Sequence, residues 1–254
     1  MNDDFYIGWE AKSPPGIGKF ARRVVGLLLI GAIGFALAFA VAQHSIGGSV
    51  FEWGTVKQFS GILKLQPYPH LLVPRAGTQL AQHTFSTYYL VAPFKHGLDR
   101  EKYSALDGKT VSLQGTLIYR GNQTMVEALP NSVKVADKQL ASMTGTETIP
   151  LGRQTLVGEI VDSKCFLGVM NPGQLLPHRA CAIRCISGGI PPVLLVRNAE
   201  GTANYLLLVS ADGKPVNQEV LEFVAEPVQI TGEVERQGEL FILRADPRTI
   251  LRIP

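Results

Sequence analysis

YYLVAPFKHGLDREKYSALDGKTVSLQGTLIYRGNQTMVEALPNSVKV, residues 88–135, and YLLLVSADGKPVNQEVLEFVAEPVQITGEVERQGELFILRADPRTILRI, residues 205–253, decide the fold. Each runs strand, polar turn, short helical stretch, strand with a central glycine, hairpin, strand and a terminal alternating segment. Gly115 answers Gly232, and the hairpin at Arg120-Gly121-Asn122 answers Arg236-Gln237-Gly238. Upstream, FSGILKLQPYPHLLV around Gly61 answers LVGEIVDSKC around Gly158, so the repeat covers most of each half. The spacing predicts a tandem duplication over residues 50–140 and 150–254, joined near 138–148 by a linker rich in Ala, Ser, Thr and Gly.

About five short strands per copy fit a small closed barrel, because closure removes edges and buries one face of every alternating strand. The glycine-bent first strand makes the expected barrel OB-like; two small antiparallel sandwiches are the alternative. The expected class is therefore an all-β ectodomain of tandem OB-like barrels. The 26 Gly and 16 Pro in 254 residues exclude a helical bundle, and 46% hydrophobic content excludes a disordered chain. A net charge of +3 without a dense Lys/Arg run gives no footprint for nucleic acid, which is not expected as a partner.

Ahead of the repeat, VVGLLLIGAIGFALAFAVA from Val24 to Ala42 carries no charged side chain. At 1.5 Å per residue it is long enough for a hydrocarbon core of roughly 30 Å, which predicts a transmembrane helix over 24–43. Lys19, Arg22 and Arg23 precede it and no Lys or Arg follows until Lys57, so the positive-inside bias places a 1–23 tail in the cytoplasm and the repeats in the periplasm. Ala40-Val41-Ala42 has the form of a signal-peptidase site, and Arg22-Arg23 faintly that of a twin-arginine signal. The apolar run exceeds a usual signal core, so a retained single-pass anchor in a bacterial inner membrane is expected. Phe5, Tyr6 and Trp9 in the tail suit a membrane interface or a partner subunit.

The two copies differ between the first strand and the Tyr strand. The second carries extra length there, DSKCFLGVMNPGQLLPHRACAIRCISGGIPPVLL, with all three cysteines, Cys165, Cys181 and Cys185, and with His178. Pro177 can open a short helix and Gly188-Gly189 close it, putting His178, Cys181 and Cys185 on one stripe. In a regular helix His178 and Cys185 lie about 10 Å apart along the axis, so one ion reaches both only if the helix ends or bends between them. Three chemistries stay open. A disulfide from Cys165 to Cys181 or Cys185 closes a loop of roughly 15 to 20 residues, worth about 3 kcal/mol. A metal site of Cys165, His178, Cys181 and Cys185 suits copper or zinc, because thiolates and imidazole select Cu(I) or Zn. A thiol redox pair is the third. Met170 is a soft ligand or a core residue, and Asp162 orients a ligand or caps a turn. His70, His83 and His96 read as surface or loop residues, and the pairs Asp99 with Glu101 and Glu233 with Glu235 as solvated charge. No Ser-His-Asp order or phosphate loop is present, so catalysis by this chain alone is not expected.

GEIVDSKC, then HRACAIRC, then GGIPPVLLV, followed by a Gly turn and a Tyr-Leu-Leu strand, resembles a pattern in uncharacterised exported bacterial proteins with small β-barrel domains. DFYIGWEAKSPPG before the anchor resembles single-pass proteins of the same kind. The resemblance covers the N-terminal 45 or so residues and roughly the last 100. It implies a membrane-anchored periplasmic protein associated with an oxidoreductase system, and it brings no activity or site residues. The expected function is an accessory or assembly subunit of a membrane oxidoreductase complex, with other subunits of that complex as partners. The alternatives are a periplasmic copper or zinc delivery protein and a thiol-disulfide protein.

Overall fold

The computed structural model describes residues 13–44, 48–75, 85–137, 140, 148–199 and 201–253. The aromatics of the tail, His83 and most of the expected linker lie outside the described residues. The chain divides into two units, residues 1–47 and 48–254.

The first unit is helix α1, Pro15–His44, long and apolar enough to cross a membrane. It starts ahead of the expected span because Pro15 favours the first helical turn and nothing in KFARR opposes a helix. Lys19, Arg22 and Arg23 therefore sit on helical turns rather than in a free tail.

The second unit holds two closed five-stranded barrels, as the repeat predicts. The first is built from β1 (Ser49–Phe51), β2 (Lys57–Lys64), β3 (His70–Pro74), β4 (Phe85–Val91), β5 (Thr110–Arg120), β6 (Gln123–Ala128) and β7 (Lys134–Val135). The second is built from β8 (Thr148–Asp162), β9 (Pro192–Arg197), β10 (Ala203–Val209), β11 (Pro227–Gln237), β12 (Leu240–Arg244) and β13 (Leu251–Arg252). Closure runs β2-β3-β4-β6-β5-β2 in one and β8-β9-β10-β12-β11-β8 in the other, with β4–β6 and β10–β12 as the parallel pairs. The register repeats residue for residue. Lys57 opposes Gly115 and Gly61 opposes Val111 in the first barrel, as Gln154 opposes Gly232 and Gly158 opposes Val228 in the second. The central glycines follow from close approach: a Cβ on Gly115 would meet the Glu127 carbonyl at 2.5 Å, and one on Gly232 the Arg244 carbonyl at 2.2 Å. Short 3₁₀ turns, Ser104–Leu106 and Leu221–Phe223, occupy the expected helical stretches.

Each barrel has its own apolar core, around Leu63, Leu90, Leu113 and Val126 in the first and Ile160, Leu194, Val228 and Leu243 in the second. A third core joins them. Tyr89, Ile118 and Met125 of the first barrel pack in one cluster with Phe166, Leu195, Leu207 and Ile242 of the second, and Cys165 and Cys185 belong to that cluster. Polar contacts cross the same seam: Tyr205 Oη donates to the Arg120 carbonyl at 2.6 Å, and Arg120 Nε to the Phe166 carbonyl at 2.8 Å.

The deepest crossing is made by Lys164, whose side chain is 2% exposed. Its ammonium donates to the carbonyls of Ala92 at 2.9 Å and Phe94 at 2.6 Å and pairs with Glu127 at 2.5 Å. An ammonium has three protons, and all three are used. Breaking a buried pair leaves the partner charge uncompensated. Lys164→Met should therefore lower the unfolding free energy of the 48–254 unit by about 3 to 5 kcal/mol in chemical denaturation. Adding Glu127→Gln should recover part of the loss, and an unchanged midpoint for Lys164→Met would refute the role.

Candidate functional site

The insertion leaves the barrel where β8 ends. Asp162, its last residue, is fully buried and works in two directions. Oδ1 accepts the Cys165 amide at 2.8 Å, which starts a wide helical turn, Cys165–Val169. Oδ2 accepts from His178 Nε2 at 2.8 Å. The chain then reaches a 3₁₀ turn, Leu176–His178, followed by helix α2, Arg179–Ser187. His178 is the residue directly before α2 and is itself in helical backbone geometry, so it stays about 10 Å along the axis from Cys185, and Cys165 and Cys181 are the thiols that come close to it.

The turn after Asp162 sets Cys165 against α2, which carries the other two thiols. Cys165 Sγ, a ring nitrogen of His178 and Cys181 Sγ lie within 4.8 Å of one another, as do an Asp162 oxygen, Cys165 Sγ and Cys185 Sγ. Cys165 and Cys181 are free thiols with Sγ atoms 3.9 Å apart. Cys165, Cys185 and His178 are buried and Cys181 is half-exposed. Because Nε2 is bound to Asp162, Nδ1 is the nitrogen His178 can offer a ligand, an arrangement typical of metal-binding histidines held by a carboxylate. A hydrogen bond to Cys185, reinforced by burial and the Asp162 charge, pushes the Cys165 thiol far above its ordinary pKa. Accepting that bond lowers the pKa of Cys185, so in the metal-free cluster Cys165 keeps its proton and Cys185 is the better anion.

The sixth group comes from the other barrel. Lys95 Nζ lies 2.7 Å from Cys181 Sγ and 3.9 Å from Cys185 Sγ. The bond to Cys181 and the charges of the other thiols hold the Lys95 ammonium above its usual pKa. Its loop is fixed on both sides. Lys164 holds the Phe94 carbonyl, and the Gly97 amide donates to the Gly188 carbonyl at 2.9 Å. Backbone meets backbone at Gly188, where a Cβ would lie 2.0 Å from the Lys95 carbonyl, so the residue closing α2 must be glycine for Lys95 to reach the thiols.

Lys95, Lys164 and Glu127 are the site residues the sequence did not signal. Of those it did, Asp162 both caps and orients. Met170 is 43% exposed and is not a core residue. His70 stands half-buried on β3 with Nδ1 2.8 Å from the Tyr68 carbonyl, and desolvation lowers its pKa, which corrects the reading of a surface histidine. His96 is exposed, as expected, and so are Asp99 and Glu101. Glu235 departs from the solvated pattern by pairing with Arg244 at 2.8 Å.

The chain matches no protein-family model and no curated protein. Among solved structures, a deletion mutant of the single-stranded DNA binding protein from Thermus aquaticus matches over 82% of this chain and 88% of its own, at 12% identity and a TM-score of 0.22. A likeness at that level carries no argument, and the fold rests on the strand order and register described above.

Thiol reactivity follows access as well as ionisation. In fully reduced native protein, iodoacetamide should modify Cys181 well before Cys165 and Cys185, with all three reacting once the chain is denatured. Mass mapping of a short labelling time course reads this directly, and equal rates for the three thiols would contradict the burial described.

Proposed function

We propose that this chain is a membrane-anchored protein that holds one soft metal ion, Cu(I) or Zn(II), with Cys165, His178 and Cys181 as ligands and Cys185 available as a fourth. The observation that carries this reading is the convergence of two thiols, Cys165 and Cys181, with an imidazole whose other nitrogen is bound to buried Asp162, and with the third thiol, Cys185, beside Cys165. A disulfide needs no imidazole, and a structural thiol pair needs no buried carboxylate to orient one. The separations also suit an ion: two thiolates at about 2.3 Å from a tetrahedral metal stand about 3.8 Å apart, against 3.9 Å between Cys165 and Cys181. Lys95 supplies a nearby positive charge to balance an anionic thiolate complex.

In the periplasmic setting given by the basic residues before Val24, such a protein serves as an accessory or assembly subunit of a membrane oxidoreductase complex, and the metal is what it holds or hands over. The supports for that setting are the helix, the charge bias and the thiol-imidazole donor set.

Titrating the reduced full-length protein in detergent with Cu(I) against a chromophoric chelator, and separately with Zn(II), should show uptake of about one equivalent with proton release. Asp162→Asn should weaken binding about 10- to 100-fold by loosening His178. His178→Ala should weaken it further, with the denaturation midpoint recorded beside each variant. Absence of uptake by the folded, reduced wild type overturns the reading.

A further inference from the structure

Lys95 and Cys181 lie 86 positions apart, on different barrels, yet their Nζ and Sγ atoms are closer than any two thiols described above, 2.7 Å against 3.9 Å. The contact is held from both sides: the Lys95 loop by Lys164 and Gly188, Cys181 by α2. It is also isolated. Among the described residues the polar contacts of the Lys95 ammonium are the two thiols of α2, with no carboxylate in the set. The separation is too long for a direct S–N bond and places the ammonium in hydrogen-bond contact with the sulfur, close enough for one atom to span the two. Cys181 is the half-exposed thiol of the three, within reach of dissolved oxygen.

We propose that Lys95 and Cys181 form a modification site, becoming joined in the presence of dioxygen by a covalent N–O–S bridge. One amine and one thiol react with one O2. An N–H, the S–H and the O–O bond break, and N–O and O–S bonds form. One oxygen atom stays in the bridge and the other leaves as water with the two released hydrogens. Nitrogen and sulfur each give up two electrons, and dioxygen accepts the four. Excess dithiol reverses the step, returning amine, thiol and a second water. The bridge joins the first barrel to the insertion of the second and withdraws Cys181 from thiol chemistry. It stands independently of the metal reading, which concerns the reduced protein.

The test is peptide mapping of the full-length protein purified in detergent, under air and without reductant. The expected result is a cross-linked species containing Lys95 and Cys181, heavier than the two peptides together by one oxygen less two hydrogens. It should vanish after excess dithiothreitol, which restores an alkylatable Cys181 and proteolytic cleavage at Lys95. Lys95→Arg, which keeps the charge, should abolish the cross-link and leave Cys181 alkylatable under air. Complete alkylation of Cys181 in aerobic wild-type protein overturns the proposal, as does its recovery in a disulfide with Cys165 or in a direct S–N link lacking the oxygen. Metal uptake by the dithiothreitol-reduced protein is measured separately, so failure of either reading is recognised without the other.

Discussion

The buried ammonium of Lys164 is the constraint on which the arrangement of the 48–254 unit depends. A charge placed inside protein must be paired and hydrogen-bonded, or it drives the group back to water. Lys164 meets this condition with partners drawn entirely from the other barrel: the Glu127 carboxylate and two carbonyls at the end of β4. The geometry is therefore fixed in three directions at once. The carbonyl of Phe94 is held in this way, and the following residue, Lys95, reaches the thiols of α2. The side chain of Phe94 itself, 84% exposed and at a positive φ of 61°, points away from the cluster that its carbonyl helps to build.

Around that constraint the seam is closed by apolar packing. The residues of the shared core come from strands of both barrels and from the insertion, so the insertion is packed between the barrels rather than displayed as a free loop. Burial there raises the energetic stakes of every polar group. Asp162, Lys164 and His178 are each satisfied by partners that also shape the backbone, and the thiols sit between them.

Much of the fold was legible because it is local or repeated. The matched glycines, the two hairpins, the closed barrels and the extra length in one copy follow from period-two alternation, turn residues and comparison of the chain with itself. The stripe of His178, Cys181 and Cys185 was only partly legible, since the identity of the residue that precedes a helix depends on where the 3₁₀ turn stops, and spacing alone does not decide that. Strand β8 extends back to Thr148, the edge of the expected linker, because its pairing with β11 continues beyond the barrel past an irregularity at Val234 and Glu235. Lys95, Glu127 and Lys164 were illegible for a different reason. Each looks like ordinary surface charge in its own copy, and each acquires a role only through a residue of the other copy.

The cluster is divided between the two copies. The carboxylate, the imidazole and the thiols belong to the second copy, whereas the lysine against them belongs to a loop of the first, which has no such insertion of its own. The six-membered constellation, one carboxylate, one imidazole, three thiols and one lysine, therefore needs both copies and their difference at the insertion. The two copies share a fold, and their difference at a single insertion sets a lysine of the first against thiols of the second.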